Sequence, residues 1–131
     1  MLKSIMPTDI APPAASYTHA CLAQGATRWL HTSGVVPIAP DGSVPSGIVE
    51  QAELIWRNLN AMLRDAEMTA AQIVSVTTYV TPGHDLSKVM AIRDRVLDGH
   101  LAASTLVIVA ELARPEWLME IAIVAAGDPH V

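Results

Sequence analysis

Leu118–Ala126, LMEIAIVAA, places one carboxylate, Glu120, inside an apolar run. A strand with one wet face alternates apolar and polar side chains. Past Glu120 this run does not, because Ile121–Ala125 is apolar in both alternating sets. The segment read as its neighbour, Thr105–Leu112, behaves the same way through Leu106–Ala110. A sheet built from such strands needs cover on both faces. Glu120 needs either a cationic partner or a wet cleft, since an ionised carboxylate is costly in hydrocarbon.

Working outward, Ile73–Val80 (IVSVTTYV) is β-branched and predicts a strand. Between Ile48 and Ala66 the period changes. Ile48, Ala52, Ile55, Leu59, Met62, Leu63 and Ala66 fall on one stripe at about 100° per residue, which predicts a helix with Ser46 as its N-cap. Thr69 and Gln72 have capping-box spacing and predict one short turn. Asp85 is placed to cap a second helix, Leu86–Leu97, closed by Gly99, with Leu86, Val89, Met90, Val96 and Leu97 inward. Nearer the start, Tyr17–Ala23 and Thr27–Ser33 flank a turn at Gln24 and Gly25 and predict a hairpin. The residues around Pro12 and Pro13 form an extended lead-in, Pro37–Pro45 a loop, and Arg114–Pro115 the turn between the last two strands.

The order strand, strand, helix, strand, helix, strand, strand is that of an α+β domain spanning residues 1–131. Two helices cover one face of one sheet. With no third helix in the pattern, the economical cover for the other face is a second copy of the chain.

Composition narrows the function classes. The net charge is -5, with 8 Lys and Arg and no dense basic run, and there is no Phe. That argues against nucleic-acid binding, which needs clustered cations or stacking platforms. No apolar run is long enough to span a bilayer, and no secretory apolar block precedes Pro12. The lone Cys21 can form no disulfide within the chain, which fits a cytoplasmic protein. Phosphate-binding glycine loops and a GxSxG elbow are absent. His19, His31, His84, His100 and His130 show no ligand spacing, so no metal site is expected.

Two residues break local rules. Glu120 either pairs with Arg28 or Arg114, or stands in a cleft where it positions water or moves a proton. Arg93 falls in the apolar stripe of the second helix, between the directions of Val89 and Leu97. It either snorkels past the helix end or aims a guanidinium at a carboxylate. Asp94 and Arg95 point elsewhere and read as solvated surface.

In order and spacing the chain resembles the RidA/YjgF family, the reactive-intermediate deaminases also labelled endoribonuclease L-PSP. The resemblance runs from Pro12 to Ala125. It rests on the Tyr17 strand, TSG at Thr32, Ser33 and Gly34, DG at Asp41 and Gly42, QAELIWRNLNAML, VTTYV and LMEIAI. It implies a chorismate-mutase-like, two-layer fold with a mixed sheet, assembled as a homotrimer whose sheets line the interior and whose clefts lie between subunits. It also implies cofactor-free hydrolysis of enamines and imines derived from amino acids, such as 2-aminoacrylate. In that chemistry an Arg binds the substrate carboxylate and a Glu holds the attacking water. Glu120 stands at the Glu position, Tyr17 at a cleft tyrosine, and Gly34, beside Ser33, at the cleft glycine.

The family's Arg does not carry over. Counting back from Val107 puts Ser104 at its position, and a one-residue shift puts Ala103 there. Arg93 stands where the family tends to place an Asn, and Ala122 replaces a second Glu. Three readings follow: an enzyme in which Arg93 supplies the guanidinium, Ser104 a neutral hydrogen bond and Glu120 the water; a trimer whose subunit interface binds a small molecule without chemistry; or an inherited scaffold with an interaction role.

Overall fold

The computed structural model describes residues 1–128; His130 lies outside them. In chain order the elements are β1 (Leu2–Ile5), β2 (Ala20–Ala23), β3 (Arg28–His31), α1 (Ile48–Asp65), a 3-10 turn (Ala70–Gln72), β4 (Ile73–Val80), α2 (Leu86–Leu97), β5 (Ala103–Ile108) and β6 (Met119–Gly127).

The helices follow from their stripes. On α1 Ala52, Ile55, Trp56, Leu59 and Leu63 are buried, and they pack on Ile73, Val76, Val80, Met119, Ile121, Ile123 and Ala125 of the sheet. Gly47 rather than Ser46 is the N-cap, and it makes no side-chain capping bond. Glu50 in the first turn brings its carboxylate over Gly47, a negative charge where the helix dipole favours one. The helix closes with Met68 N donating to Leu63 O at 2.8 Å and Glu67 N to Arg64 O at 3.0 Å, and Glu67 takes a left-handed φ of 58°. The capping box at Thr69 and Gln72 forms as its spacing predicts. Asp85 caps α2, accepting from Ser87 N at 3.0 Å. The Ser87 hydroxyl and then its backbone N–H hold the Asp85 carboxyl below its usual range.

Four strands form a mixed sheet in the order β3-β6-β4-β5, with β4 and β5 parallel and the other pairs antiparallel. The predicted hairpin does not form. β2 pairs with β1 as a separate ribbon, while β3 crosses to the edge of β6. A turn at Gly25 reverses the chain, but it does not dictate which edge each arm then finds. β5 stops at Ile108, short of Leu112, because its partner β4 ends at Val80, and one last bond joins Val109 N to Val80 O at 2.9 Å. β6 runs on to Gly127 because β3 supplies Arg28 opposite it.

Both helices lie on one side of the sheet, against the odd-numbered residues of β6. Its other face carries Glu120, Ala122, Val124 and Ala126 of β6, Ser75, Thr77 and Tyr79 of β4, Ala103, Thr105 and Val107 of β5, and Trp29 and His31 of β3. No element among the described residues covers that face. Trp29 is left 51% exposed and Val107 39%. The second face, read from the sequence as apolar, mixes apolar residues with Ser75, Thr77 and Thr105 and is uncovered in a single chain.

Candidate functional site

Glu120 sits on the uncovered face, half-buried and directly across from Tyr79. A local irregularity shapes its surroundings. β3 is in register at His31 opposite Val124, and pairing resumes at Val35 opposite Ile121. The segment after β3 therefore carries one residue more than β6 does, and Ser33 and Gly34 share the place opposite Ala122. This is a β-bulge, a device that re-aims side chains. Thr32 anchors it: its backbone N–H donates to Ile123 O at 3.1 Å, and its hydroxyl accepts from Ile123 N at 3.0 Å.

The bulge brings the Gly34 backbone against the Glu120 carboxylate. A Cβ on Gly34 would lie 1.8 Å from Glu120 Oε2 and 2.7 Å from its Cδ. Gly34 does not have a left-handed φ, so glycine is required here for space and not for backbone conformation. The two ion pairs among the described residues, Arg93–Asp94 and Arg95–Glu53, leave Glu120 out. Neither of its suggested partners reaches it: Arg28 donates to the Ala66 carbonyl, and the Arg114 guanidinium lies 5.6 Å from the centre of the Trp117 ring.

Arg93 and Ser104 meet on the other side of the sheet. Arg93 is buried at 6% exposure and does not snorkel. Its Nη1 donates to Ser104 Oγ at 3.1 Å, its Nε and Nη2 to Asp94 Oδ1 at 3.1 and 3.0 Å, and its Nη2 also to Ser16 O at 3.5 Å. Asp94, read from the sequence as solvated surface, turns back to neutralise Arg93. Arg95 reaches Glu53 of α1 at 3.6 Å.

Ser104 is level with Val76 and Ile123, so it lies three residues along and two strands across from Glu120. That is about 14 Å between their backbones, with the side chains on opposite faces. Ala103, not Ser104, shares the face of Glu120. Tyr17 lies near Ser104: Thr18 bridges to Ala103, and Thr18 N donates to Ala102 O at 3.2 Å. The Tyr17 hydroxyl accepts from Ala14 N at 3.2 Å, and its ring meets His19 edge-on. The six sequence-predicted residues thus fall into two groups within a protomer, Glu120 with Ser33 and Gly34, and Tyr17 with Arg93 and Ser104.

Two residues that the sequence reading left out of the site complete these groups. Tyr79 belongs to the polar alternate set Ser75, Thr77, Tyr79 of VTTYV, so its side was readable from period two. Asp94 had no such signal, because its role depends on the fold of its own side chain.

A groove of about 580 Å³ between the β1–β2 ribbon and the end of α2 is lined by Leu2, Cys21, Gln72 and His100, and Glu120 is not among its walls. Burial pushes the Cys21 thiol pKa up in that groove. Among the described residues no three His, Cys, Asp or Glu converge as a metal would require, and no helix is long and apolar enough to cross a membrane.

The sequence profile described as Endoribonuclease L-PSP matches residues 8–127. A RutC family protein of Haemophilus influenzae is 34% identical over 96 residues, covering 72% of each chain. Among solved structures, the Rid-family protein YyfB of Yersinia pestis, described as of unknown function, has a TM-score of 0.81 at 29% identity, covering 95% of this chain and 98% of its own. TdcF of Escherichia coli, solved with bound serine, has a TM-score of 0.70 at 26% identity, covering 95% and 98%.

Proposed function

The chain belongs to the endoribonuclease L-PSP family, the RidA/YjgF proteins, and on that footing we propose that it assembles as a homotrimer whose intersubunit clefts take a small metabolite of imine, enamine or carboxylate type. A cytoplasmic setting belongs to the same proposal.

The observation that carries this reading is the Glu120 carboxylate, held over Gly34 by a bulge on a sheet face that its own chain leaves bare. A residue placed there without an ion-pair partner is available to a ligand. The split of the site residues supports assembly. Tyr17 and Ser104 belong to one edge of the sheet, Glu120, Ser33 and Gly34 to its middle, and about 14 Å of sheet separates Ser104 from Glu120. In our reading one copy offers the first group and its neighbour the second, and the cleft exists only between copies.

The chemistry follows from the carboxylate. Glu120 accepts a proton from a bound water, whose oxygen adds to the imine carbon. The nitrogen takes that proton from Glu120 and then the proton of the new hydroxyl, the carbon–nitrogen bond breaks as the carbonyl forms, and ammonia and a carbonyl compound leave. No cofactor enters that balance. Tyr17, Ser33 and Ser104 would orient the ligand, with Arg93 behind Ser104.

Adding 2-iminopropanoate and its carboxamide to the assembled protein tests the proposal. Ammonia release should exceed that in buffer for at least one of them, and Glu120→Gln should remove the excess. No acceleration with either compound would refute the enzyme. The engagement of Arg93 by Asp94 and Ser104 favours a second reading, a trimer that binds a small ligand without turning it over. In that case Glu120→Gln changes affinity only.

A further inference from the structure

We infer that the Arg93–Asp94 pair sets the ligand charge this cleft accepts, so that it selects small amines or iminium cations without a carboxylate. This rests on the intersubunit cleft proposed above and narrows its ligand.

The inference is a charge balance over the residues in place. Among the paired strand residues of the uncovered face, Glu120 is the only formal charge. Its neighbours there are uncharged: Tyr79, Thr77 and Ala122, and Ala103 further along β5. The edge that carries Tyr17 and Ser104 adds Arg93, but Asp94 Oδ1 sits 3.0 Å from Arg93 Nη2 and also accepts from Nε. All three guanidinium nitrogens are engaged, and the group is buried. An incoming carboxylate would have to displace Asp94 and Ser104 to use the bidentate geometry that makes Arg a good carboxylate receptor.

A neighbouring copy can bring only the cations of this same sequence. Arg57, Arg64, Lys88 and Arg95 belong to α1 and α2, on the far side of the sheet, Lys3 belongs to the separate β1–β2 ribbon, and Arg28 is bonded to Ala66 O. Arg114 is stacked on Trp117. The assembled cleft thus carries one net negative charge near the reacting atoms. A charge-assisted contact to Glu120 favours a cation by about 10- to 100-fold over a neutral analogue, and like charge disfavours an anion. Asp94 is the specificity-determining residue, since removing its charge would leave Arg93 unneutralised at the cleft edge.

Three probes of one skeleton separate the cases: serinol, a cation with no carboxylate; serine, which has both groups; and glycerate, an anion with no ammonium. Their dissociation constants are measured by NMR titration of the assembled protein, following the amides of Glu120 and Ala122. Serinol should bind at least about 10-fold more tightly than glycerate, with serine between them. Glu120→Gln should abolish the difference. Asp94→Asn, a near-isosteric change at a half-buried position, should tighten glycerate by about 10-fold. The inference is overturned if glycerate or serine binds wild type as tightly as serinol, or if Asp94→Asn leaves glycerate unchanged. If no probe shifts these amides at millimolar concentration, the cleft reading itself falls.

Discussion

Gly34→Ala is the sharpest test of how the site is held. The new methyl would lie 1.8 Å from Glu120 Oε2, against the 3.4 Å at which ordinary contact begins, so the oxygen must retreat by about 1.6 Å. The Glu120 Cγ, at 3.2 Å, must also give slightly. The clash falls on the far end of a flexible side chain, so the backbone can stay. We expect a cost of about 0.5–1.5 kcal/mol for the forced rotamer. It is offset by about 0.4–1 kcal/mol from the lower entropy of the unfolded chain, because Gly34 has no left-handed φ. The net change should be under about 1 kcal/mol. In a Glu120→Ala background the clash is gone, and the same substitution should become neutral or stabilising. Urea denaturation of the four proteins of this cycle gives a coupling of about 0.5–1.5 kcal/mol if the reasoning holds. Ligand binding should suffer more than stability, because the carboxylate is displaced from the place where it meets a ligand. The reasoning is refuted if Gly34→Ala costs several kcal/mol in both backgrounds, which would locate the strain in the bulge backbone. It is refuted equally if serinol binds Gly34→Ala as it binds wild type.

Further outcomes follow from other contacts. Gln51 is fully buried and bonds Pro45 O, Glu116 O and Leu118 N. Gln51→Leu should therefore cost at least about 2–3 kcal/mol in urea denaturation, since it strands three backbone groups; a change under about 1 kcal/mol would show that the loop re-solvates freely. Trp29, 51% exposed in one chain, should be shielded from acrylamide in the assembled protein, and Trp29→Asp should shift sedimentation from trimer to single chain. The folded Asp85 carboxyl lies below its ordinary value, so its cap stabilises the fold above the usual carboxylate range and that stability is lost as pH falls through the lowered folded value. Asp85→Ala should accordingly lower Tm at pH 7 and have little effect at pH 2. The raised Cys21 pKa means less thiolate at neutral pH, and its reaction with iodoacetamide should be slower than that of an unfolded control.

Local pattern fixed the elements whose signals are local. The stripe of α1 apart from the exposed Met62, the β-branched run of β4, the Asp85 cap of α2 and the Thr69–Gln72 box all stand where the sequence places them. The second face is apolar along β6 past Glu120, as period two indicates, but β4 and β5 add Ser75, Thr77 and Thr105 to it. The importance of Glu120 was legible from the cost of a lone carboxylate in LMEIAIVAA, and its family position agrees. Strand partnership was not legible. The turn at Gly25 suits a hairpin, yet β2 and β3 pair with β1 and β6, because long-range burial and not the turn selects the edge.

The sequence alone therefore settled the α+β class, the helices, the central strands and the residues that break local rules, because each depends on spacing within one segment. Only the tertiary structure decided which of those residues can meet. A one-residue change of parity sends a side chain to the opposite face. Ser104 and Ala103 differ by that single step, and the bulge at Ser33–Gly34 inserts another beside Glu120. Register is set between distant segments, as is the meeting of Arg93 with Ser104. Such choices balance packing and charge across the whole sheet, so no window of sequence contains them.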